Sequence, residues 1–258
     1  MAKKHYRKPH SYKRKKSIFK QRLFWFSILG ILLLCGVFYS LFFLQLFQVE
    51  KIIVNGNSKV EASDVKSLVE NKIDSKILFF GTKSIFAVKT SQIRENLLNL
   101  FPQIAEAKVS RGFLDAIIVS LVERQGMAIW CQAENCFLID KAGVIFESVK
   151  ESSDLLELRN SEYRENIALG EVVLSSEKMS QIIQIKGGLD FPVIRVLLVS
   201  EERLNVETAE GWEIYFNLKG DLNWQLTELS LVLEKQISAQ ERTELQYIDL
   251  RFSRVFYK

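Results

Sequence analysis

Histidine is almost missing from this 258-residue chain: there are two, His5 and His10, and none follows. Beyond residue 10 no Ser-His-Asp triad or sortase-like Cys-His pair can therefore be assembled. Metal binding is starved for the same reason, because Cys131 and Cys136 alone leave a tetrahedral ion short of ligands. Their Cys-x4-Cys spacing is also wider than the redox Cys-x-x-Cys. A Ser/Lys dyad has no local signature. Nothing in the sequence sets the separation that a sugar-hydrolysing pair such as Glu123 and Glu147 would need. No glycine-rich phosphate loop occurs, and the three prolines form no linker. No enzyme, cofactor or small-molecule substrate is expected.

Charge is missing from Leu23 to Phe47, 25 positions of which seventeen are Leu, Ile, Phe or Val. A transmembrane helix needs about 20 apolar residues at ~1.5 Å rise each. At roughly −0.3 to −0.6 kcal/mol per apolar side chain, this stretch favours insertion by on the order of 5 to 10 kcal/mol. A cleaved signal peptide would have a core of about 7–15 residues and a small-residue cleavage site. Here the core is longer, and Gln45-Leu46-Phe47-Gln48-Val49 contains no small residue. Residues 23–47 are therefore expected to remain as a single-pass anchor.

Acid is missing from residues 1–22, which hold ten Lys or Arg. The positive-inside rule then places the N-terminus in the cytoplasm and the rest outside the plasma membrane, a type II topology. This basic tail is expected to be disordered and to act as a topology and lipid signal. The net charge of +4 belongs to it, since the remaining residues sum to −6. Nothing there resembles a nucleic-acid surface.

Past the span, Val49 to Val54 reads as a strand and Asn55-Gly56-Asn57 as its turn. Ser63 is placed to cap a helix with Val65, Leu68 and Val69 inward, and Thr90 to cap a second with Ile93, Leu97, Leu100 and Phe101 inward. Pro102 ends that helix, and strands Ala105–Ser110 and Ala116–Glu123 follow. From Gly126 the period becomes two. Met127–Cys131 and Cys136–Asp140 read as a hairpin with the four-residue loop Gln-Ala-Glu-Asn. Residues 148–170 read as a long surface loop with an edge strand. Ser176 is placed to cap a helix carrying Met179, Ile182 and Ile183. Val193–Ser200, a hairpin about Glu210-Gly211, a helix with Leu222, Leu226, Leu229, Leu233 and Ile237 on one stripe, and a final strand from about Gln246 complete the chain. The fold class is α+β: residues 48–124 form one βααββ domain, and residues 125–258 a β-rich domain with one open sheet and two helices.

A basic tail, one span and the run Phe47-Gln48-Val49-Glu50-Lys51-Ile52-Ile53-Val54-Asn55-Gly56-Asn57 resemble the FtsQ/DivIB bacterial cell-division family, the first unit being similar to its POTRA domain. Val122-Glu123-Arg124 through Ile145-Phe146, the hairpin Leu204–Phe216 with its Leu helix, and Tyr247-Ile248-Asp249-Leu250-Arg251-Phe252 are similar to its second domain. The resemblance implies a non-enzymatic divisome scaffold at the septum. Its POTRA unit would contact division proteins and its β domain an FtsB/FtsL pair that regulates septal peptidoglycan synthesis. It also implies that a terminal strand accepts a strand from FtsB. Carried onto this chain, that site is Phe252, Ser253, Arg254, Val255, Phe256 and Tyr257.

Elementary physics agrees in part. A strand near the C-terminus tends to lie at a sheet edge, where free N–H and C=O groups pair with another chain, and aromatic side chains serve as anchors. The same alternation would also arise if one set of side chains merely covered the core. Asp249 and Arg251, two apart on one strand face, read as a structural ion pair. Cys131 and Cys136, facing each other in an oxidising compartment, read as a disulfide. The rival from another class is a membrane-anchored envelope sensor or POTRA-type assembly or chaperone protein. An outer-membrane assembly role would need several POTRA units or a barrel, and cell-wide instead of midcell placement would favour that rival.

Overall fold

The computed structural model describes residues 22–77, 79–149, 155–161, 167–238 and 240–258; the basic tail expected over residues 1–21 lies outside them. Helix α1 (Arg22–Phe43) contains a 20-residue apolar stretch, Phe24–Phe43, with mean hydropathy 2.3 and none of its window buried against the protein. By length and composition it can cross a bilayer. The helix ends at Phe43 and not at Phe47, because its last carbonyls are claimed by side chains further along the chain. Thr82 Oγ1 and Gln48 Nε2 donate to Phe42 O, and Ser84 Oγ donates to Leu41 O. Such carbonyls have no partner inside a helix, and these three side chains supply one. Gln45–Phe47 then forms a single 3₁₀ turn.

The first domain is built on β1 (Lys51–Asn55), α2 (Ala62–Ile73), β2 (Ser75–Ile77), β3 (Phe80–Thr82), α3 (Thr90–Leu100), β4 (Ile104–Arg111) and β5 (Ala116–Glu123). The sheet order is β1-β5-β4, with β1 parallel and β4 antiparallel to the central β5. Alternate residues of β5 (Ile117, Val119, Leu121) point inward and meet Val65, Leu68, Val69 and Ile73 of α2 and Ile93 and Leu97 of α3. Between the two helices a short hairpin pairs Ser75–Ile77 with Phe80–Thr82. Two expected caps shift. Glu61 precedes α2, and Ser63 lies within its first turn, where its hydroxyl bonds the Glu61 carboxylate. Lys89 precedes α3, which begins at Thr90 without a side-chain cap.

The second domain holds β6 (Ala128–Gln132), β7 (Asn135–Ile139), β8 (Ile145–Val149), β9 (Glu157–Asn160), α4 (Ser176–Gly187), β10 (Val193–Leu198), β11 (Arg203–Thr208), β12 (Glu213–Asn217), α5 (Leu222–Lys235), β13 (Tyr247–Asp249) and β14 (Phe256–Tyr257). All eleven segments except the two helices join one nine-stranded sheet, ordered β14-β13-β12-β11-β10-β9-β6-β7-β8. One register row crosses six strands as Trp130, Leu158, Val196, Val206, Ile214 and Ile248. Every member of that row is buried, against a core that includes Met179, Ile182 and Ile185 of α4 and Leu222, Leu229 and Val232 of α5. Period-two alternation puts the neighbouring rows on the opposite, polar face.

Three expectations are corrected here. The strand inside residues 148–170 is not an edge: β9 lies between β6 and β10, parallel to both, and joins the two halves of the sheet. The hairpin loop between β6 and β7 has two residues, Ala133 and Glu134, because Gln132 and Asn135 still pair; Ala133 takes a positive φ of 51° to close it. The α4 cap is Ser175, whose hydroxyl accepts from Lys178 N at 3.2 Å, one residue before the expected Ser176.

Candidate partner-binding edge near the C-terminus

The expected single final strand is a hairpin. Asp249 ends β13: its carboxylate accepts the backbone N–H of Arg251 at 3.1 Å, an Asx turn that pulls the chain out of extended conformation. The chain bends through Phe252, Ser253 and Arg254, and returns as β14 antiparallel to β13, pairing Tyr257 with Ile248 and Phe256 with Asp249. Beyond β14, Tyr247 and Lys258 exchange backbone bonds of 3.2 and 3.3 Å. Antiparallel alternation then turns the N–H and C=O of Tyr257 away from β13, toward open space. Among the described residues β14 is one end of the nine-stranded sheet.

The six expected residues fall together at this end, in different settings. Phe252, Phe256 and Tyr257 are each about half exposed (53%, 52% and 46%). Val255 packs partly against the core and so braces the hairpin from inside. Phe252 and Phe256 meet edge to face at 5.9 Å. A cleft of about 450 Å³ opens between them and Tyr247, Asp249, Ser253 and Arg254.

The polar sheet face beside the edge carries residues that were not singled out as site residues. Tyr215 stacks on Tyr247 at 5.3 Å. Arg203 lies 4.5 Å over the Tyr215 ring, and Arg251 lies 5.6 Å from that ring and 5.4 Å from that of Phe252. Partial burial, followed by the charge of Glu213 and its hydrogen bond, pushes the Tyr215 phenol up. Arg251 grips Asp249 through Nε at 2.8 Å and Nη2 at 2.6 Å, so the two form a structural pair. Burial alone would raise the Asp249 carboxyl; the bonds from Arg251 outweigh it and hold it below the ordinary carboxylate range. The available signal was the outward set of each strand (203, 205; 213, 215; 247, 249), which is polar yet contains stacked tyrosines and arginines.

Cys131 and Cys136 pair across β6 and β7 with Cα atoms 4.1 Å apart and are joined by a disulfide. Among the described residues no group of three His, Cys, Asp or Glu side chains is placed to hold a metal ion.

The architecture is that of a two-domain α+β protein behind a helix long and apolar enough to cross a membrane: one apolar helix, a βααββ unit, and a nine-stranded sheet packed on two helices. The family profile described as "POTRA domain, FtsQ-type" matches residues 47–124, and that described as "Cell division protein FtsQ/DivIB, C-terminal" matches residues 128–251. The chain belongs to the FtsQ/DivIB family of bacterial cell-division proteins, and its α1 is long and apolar enough to cross a membrane. Proteins named cell division protein FtsQ are similar to it. The one from Rickettsia prowazekii (strain Madrid E) is 27% identical over 205 residues, covering 79% of this chain and 62% of that protein. The one from Novosphingobium aromaticivorans is 31% identical over 93 residues, covering 36% and 29%. The chain thus aligns with less than two thirds of the length of these relatives. The major extracytoplasmic domain of the trans isomer of DivIB from Geobacillus stearothermophilus matches at 14% identity, over 45% of this chain and 98% of that one, with a TM-score of 0.26.

Proposed function

We propose that this chain is a non-enzymatic scaffold of the division septum, inserted with its N-terminus in the cytoplasm. In this reading it docks an FtsB/FtsL-like partner by strand addition along β14 and so regulates septal peptidoglycan synthesis. The observation that carries the reading is the outward-turned backbone of Tyr257 at a sheet end flanked by half-exposed Phe252 and Phe256. An incoming strand would take its main-chain hydrogen bonds from that edge, and its alternate side chains would enter the Phe252–Phe256 cleft. The stacked Tyr215 and Tyr247 with Arg203 and Arg251 extend the same surface and suit an acidic or aromatic partner side chain.

The test is capture of division proteins from solubilised membranes by the full detergent-purified chain, beside Phe252→Lys/Phe256→Lys and beside Tyr257→Pro, which removes the outward donor. All three are compared by circular dichroism first. Capture of small coiled-coil FtsB/FtsL-like proteins by the wild type, reduced at least tenfold in both variants, is the expected result. Equal capture by all three would remove the edge from the site, and capture of no division protein by any would remove the scaffold reading.

A further inference from the structure

Outside α1, the most exposed large apolar side chains of the described residues are Phe79 (94%), Phe113 (84%) and Phe80 (66%). They come from two separate turns, the tip of the β2–β3 hairpin and the bend between β4 and β5. Both turns lie at the end of the first domain where α1 enters. The Phe80 ring meets that of Phe43, the last residue of α1, edge-on at 6.1 Å. Thr82 and Ser84, in and just after β3, donate to the final carbonyls of α1. The second turn is held there too. Asp115 O accepts the N–H groups of Glu50 at 2.9 Å and Lys51 at 3.1 Å, where the chain has just left the 3₁₀ turn. Just past α1, Phe47 packs on Phe86 at 5.5 Å, with Phe86 half exposed. Lys51, paired with Asp115 at 2.9 Å, and Lys83, 3.8 Å from Asp74, border the same end with largely exposed side chains.

We propose that this end of the POTRA domain lies on the outer surface of the bilayer, with Phe79 and Phe113 sunk to the boundary between headgroups and acyl chains and the lysines among the headgroups. The inference rests on α1 spanning the membrane. Phe side chains opposite lysines hold amphipathic helices about 5–10 Å deep at that boundary, and Phe79 and Phe113 beside Lys51 and Lys83 set the same combination on two turns next to a span. The side-chain caps from Thr82 and Ser84 tie the end of α1 to β3 and the residue after it, so insertion of α1 brings both turns toward the lipid. A partner's transmembrane helix is the competing occupant, and it makes a different prediction in purified lipid.

The test uses the full chain carrying a single environment-sensitive NBD label, reconstituted in phosphatidylcholine/phosphatidylglycerol vesicles with and without doxyl-labelled lipid. The labelled sites are native Cys35; Phe79→Cys, Phe113→Cys and Leu231→Cys are each made in a Cys35→Ser background, with Cys131 and Cys136 left disulfide-bonded. Cys35 reports whether α1 is in the bilayer: no quenching there sinks the anchoring reading itself. With Cys35 quenched, positions 79 and 113 are expected to show blue-shifted emission and at least twofold quenching by doxyl lipid, while position 231 on α5 shows neither. Water-like, unquenched emission at either turn overturns the proposal. So does blue-shifted emission at both turns without quenching, which would put the rings against protein.

Discussion

Arg124 donates from Nη1 to the buried carboxylate of Asp140, which lies just beyond β7, and from Nε to Pro102 O at 3.0 Å, just beyond α3. One side chain thus fastens the first domain to the second. Asp140 is otherwise satisfied by the N–H groups of Ala142 and Val144, each at 2.9 Å. Removing the arginine leaves a nearly buried charge with those two donors alone among the described residues, and breaking such a pair costs several kcal/mol. Arg124→Ala is expected to lower unfolding stability by about 3 kcal/mol in urea titrations. Arg124→Lys should restore little, because an ammonium cannot serve both acceptors as the guanidinium fork does. Lys59, which reaches Glu147 across the same junction at 2.8 Å with both side chains exposed, should cost under about 0.5 kcal/mol as Lys59→Ala. Equal effects at the two positions would refute this ranking.

Two partly buried carboxylates contribute to acid sensitivity. Partial burial alone would raise Glu123; the backbone N–H groups of Ser58, Lys59 and Val60, together with the Lys59 charge, outweigh it and hold its pKa down. Asp249 is held down by Arg251 in the same way. Their folded pKa values lie below the unfolded ones, so the unfolded chain binds more protons as pH falls through the carboxylate range. The stability they give is complete above the ordinary values of about 4 and is lost as pH drops through the lowered ones. Urea midpoints of the wild type should fall between pH 5 and pH 3, and fall less steeply in Glu123→Gln/Asp249→Asn. Parallel slopes would show that other groups dominate.

What was legible in the sequence tracks how strongly each segment repeats. β5 alternates Ile117, Val119 and Leu121, and α2 repeats Val65, Leu68 and Val69, so both stood out, and the chain order of the first domain followed. β9 did not, since Leu158 is its one buried side chain and the charged Glu157 and Arg159 fill the outer face. Its interior place comes from pairing with distant β6 and β10, which no local pattern encodes. The break between β13 and β14 was missed because it depends on one side chain, Asp249, capturing the next-but-one N–H. The membrane anchor was plain, but its end at Phe43 depends on Thr82 and Ser84, some forty residues away. The six candidate edge residues lie together in the fold as they do in the chain; that Phe252, Phe256 and Tyr257 are half exposed while Val255 packs partly against the core follows from the β13–β14 pairing.

The disulfide should matter modestly. Cys131 and Cys136 close a ring of about six residues, for which the chain-entropy model gives roughly 2 kcal/mol. The surrounding ladder, from Ala128–Ile139 to Gln132–Asn135, holds the same register without it. Cys131→Ser/Cys136→Ser is therefore expected to lose about 2 kcal/mol in thermal or urea unfolding while keeping its near-ultraviolet circular dichroism. Loss of the native spectrum would mean that the bond sets the register.

Two glycines separate backbone strain from steric exclusion. Gly143 and Gly211 both adopt positive φ, 77° and 94°, where an L side chain is strained by about 1–2 kcal/mol. A Cβ on Gly211 would meet nothing within 4 Å, whereas one on Gly143 would lie 1.8 Å from Leu174 O and 2.7 Å from Leu174 C. That neighbour is backbone, and it is fixed in turn: Val173 N donates to Gly143 O at 2.9 Å, tying the segment before α4 to the turn before β8. It cannot give way without breaking that tie. Gly211→Ala should therefore cost about 1–2 kcal/mol, and Gly143→Ala about 2 kcal/mol more on account of the clash. The comparison is read as the difference between their urea midpoints. Equal losses would mean that the Leu174 segment yields, and that the turn is constrained by its dihedral angle alone.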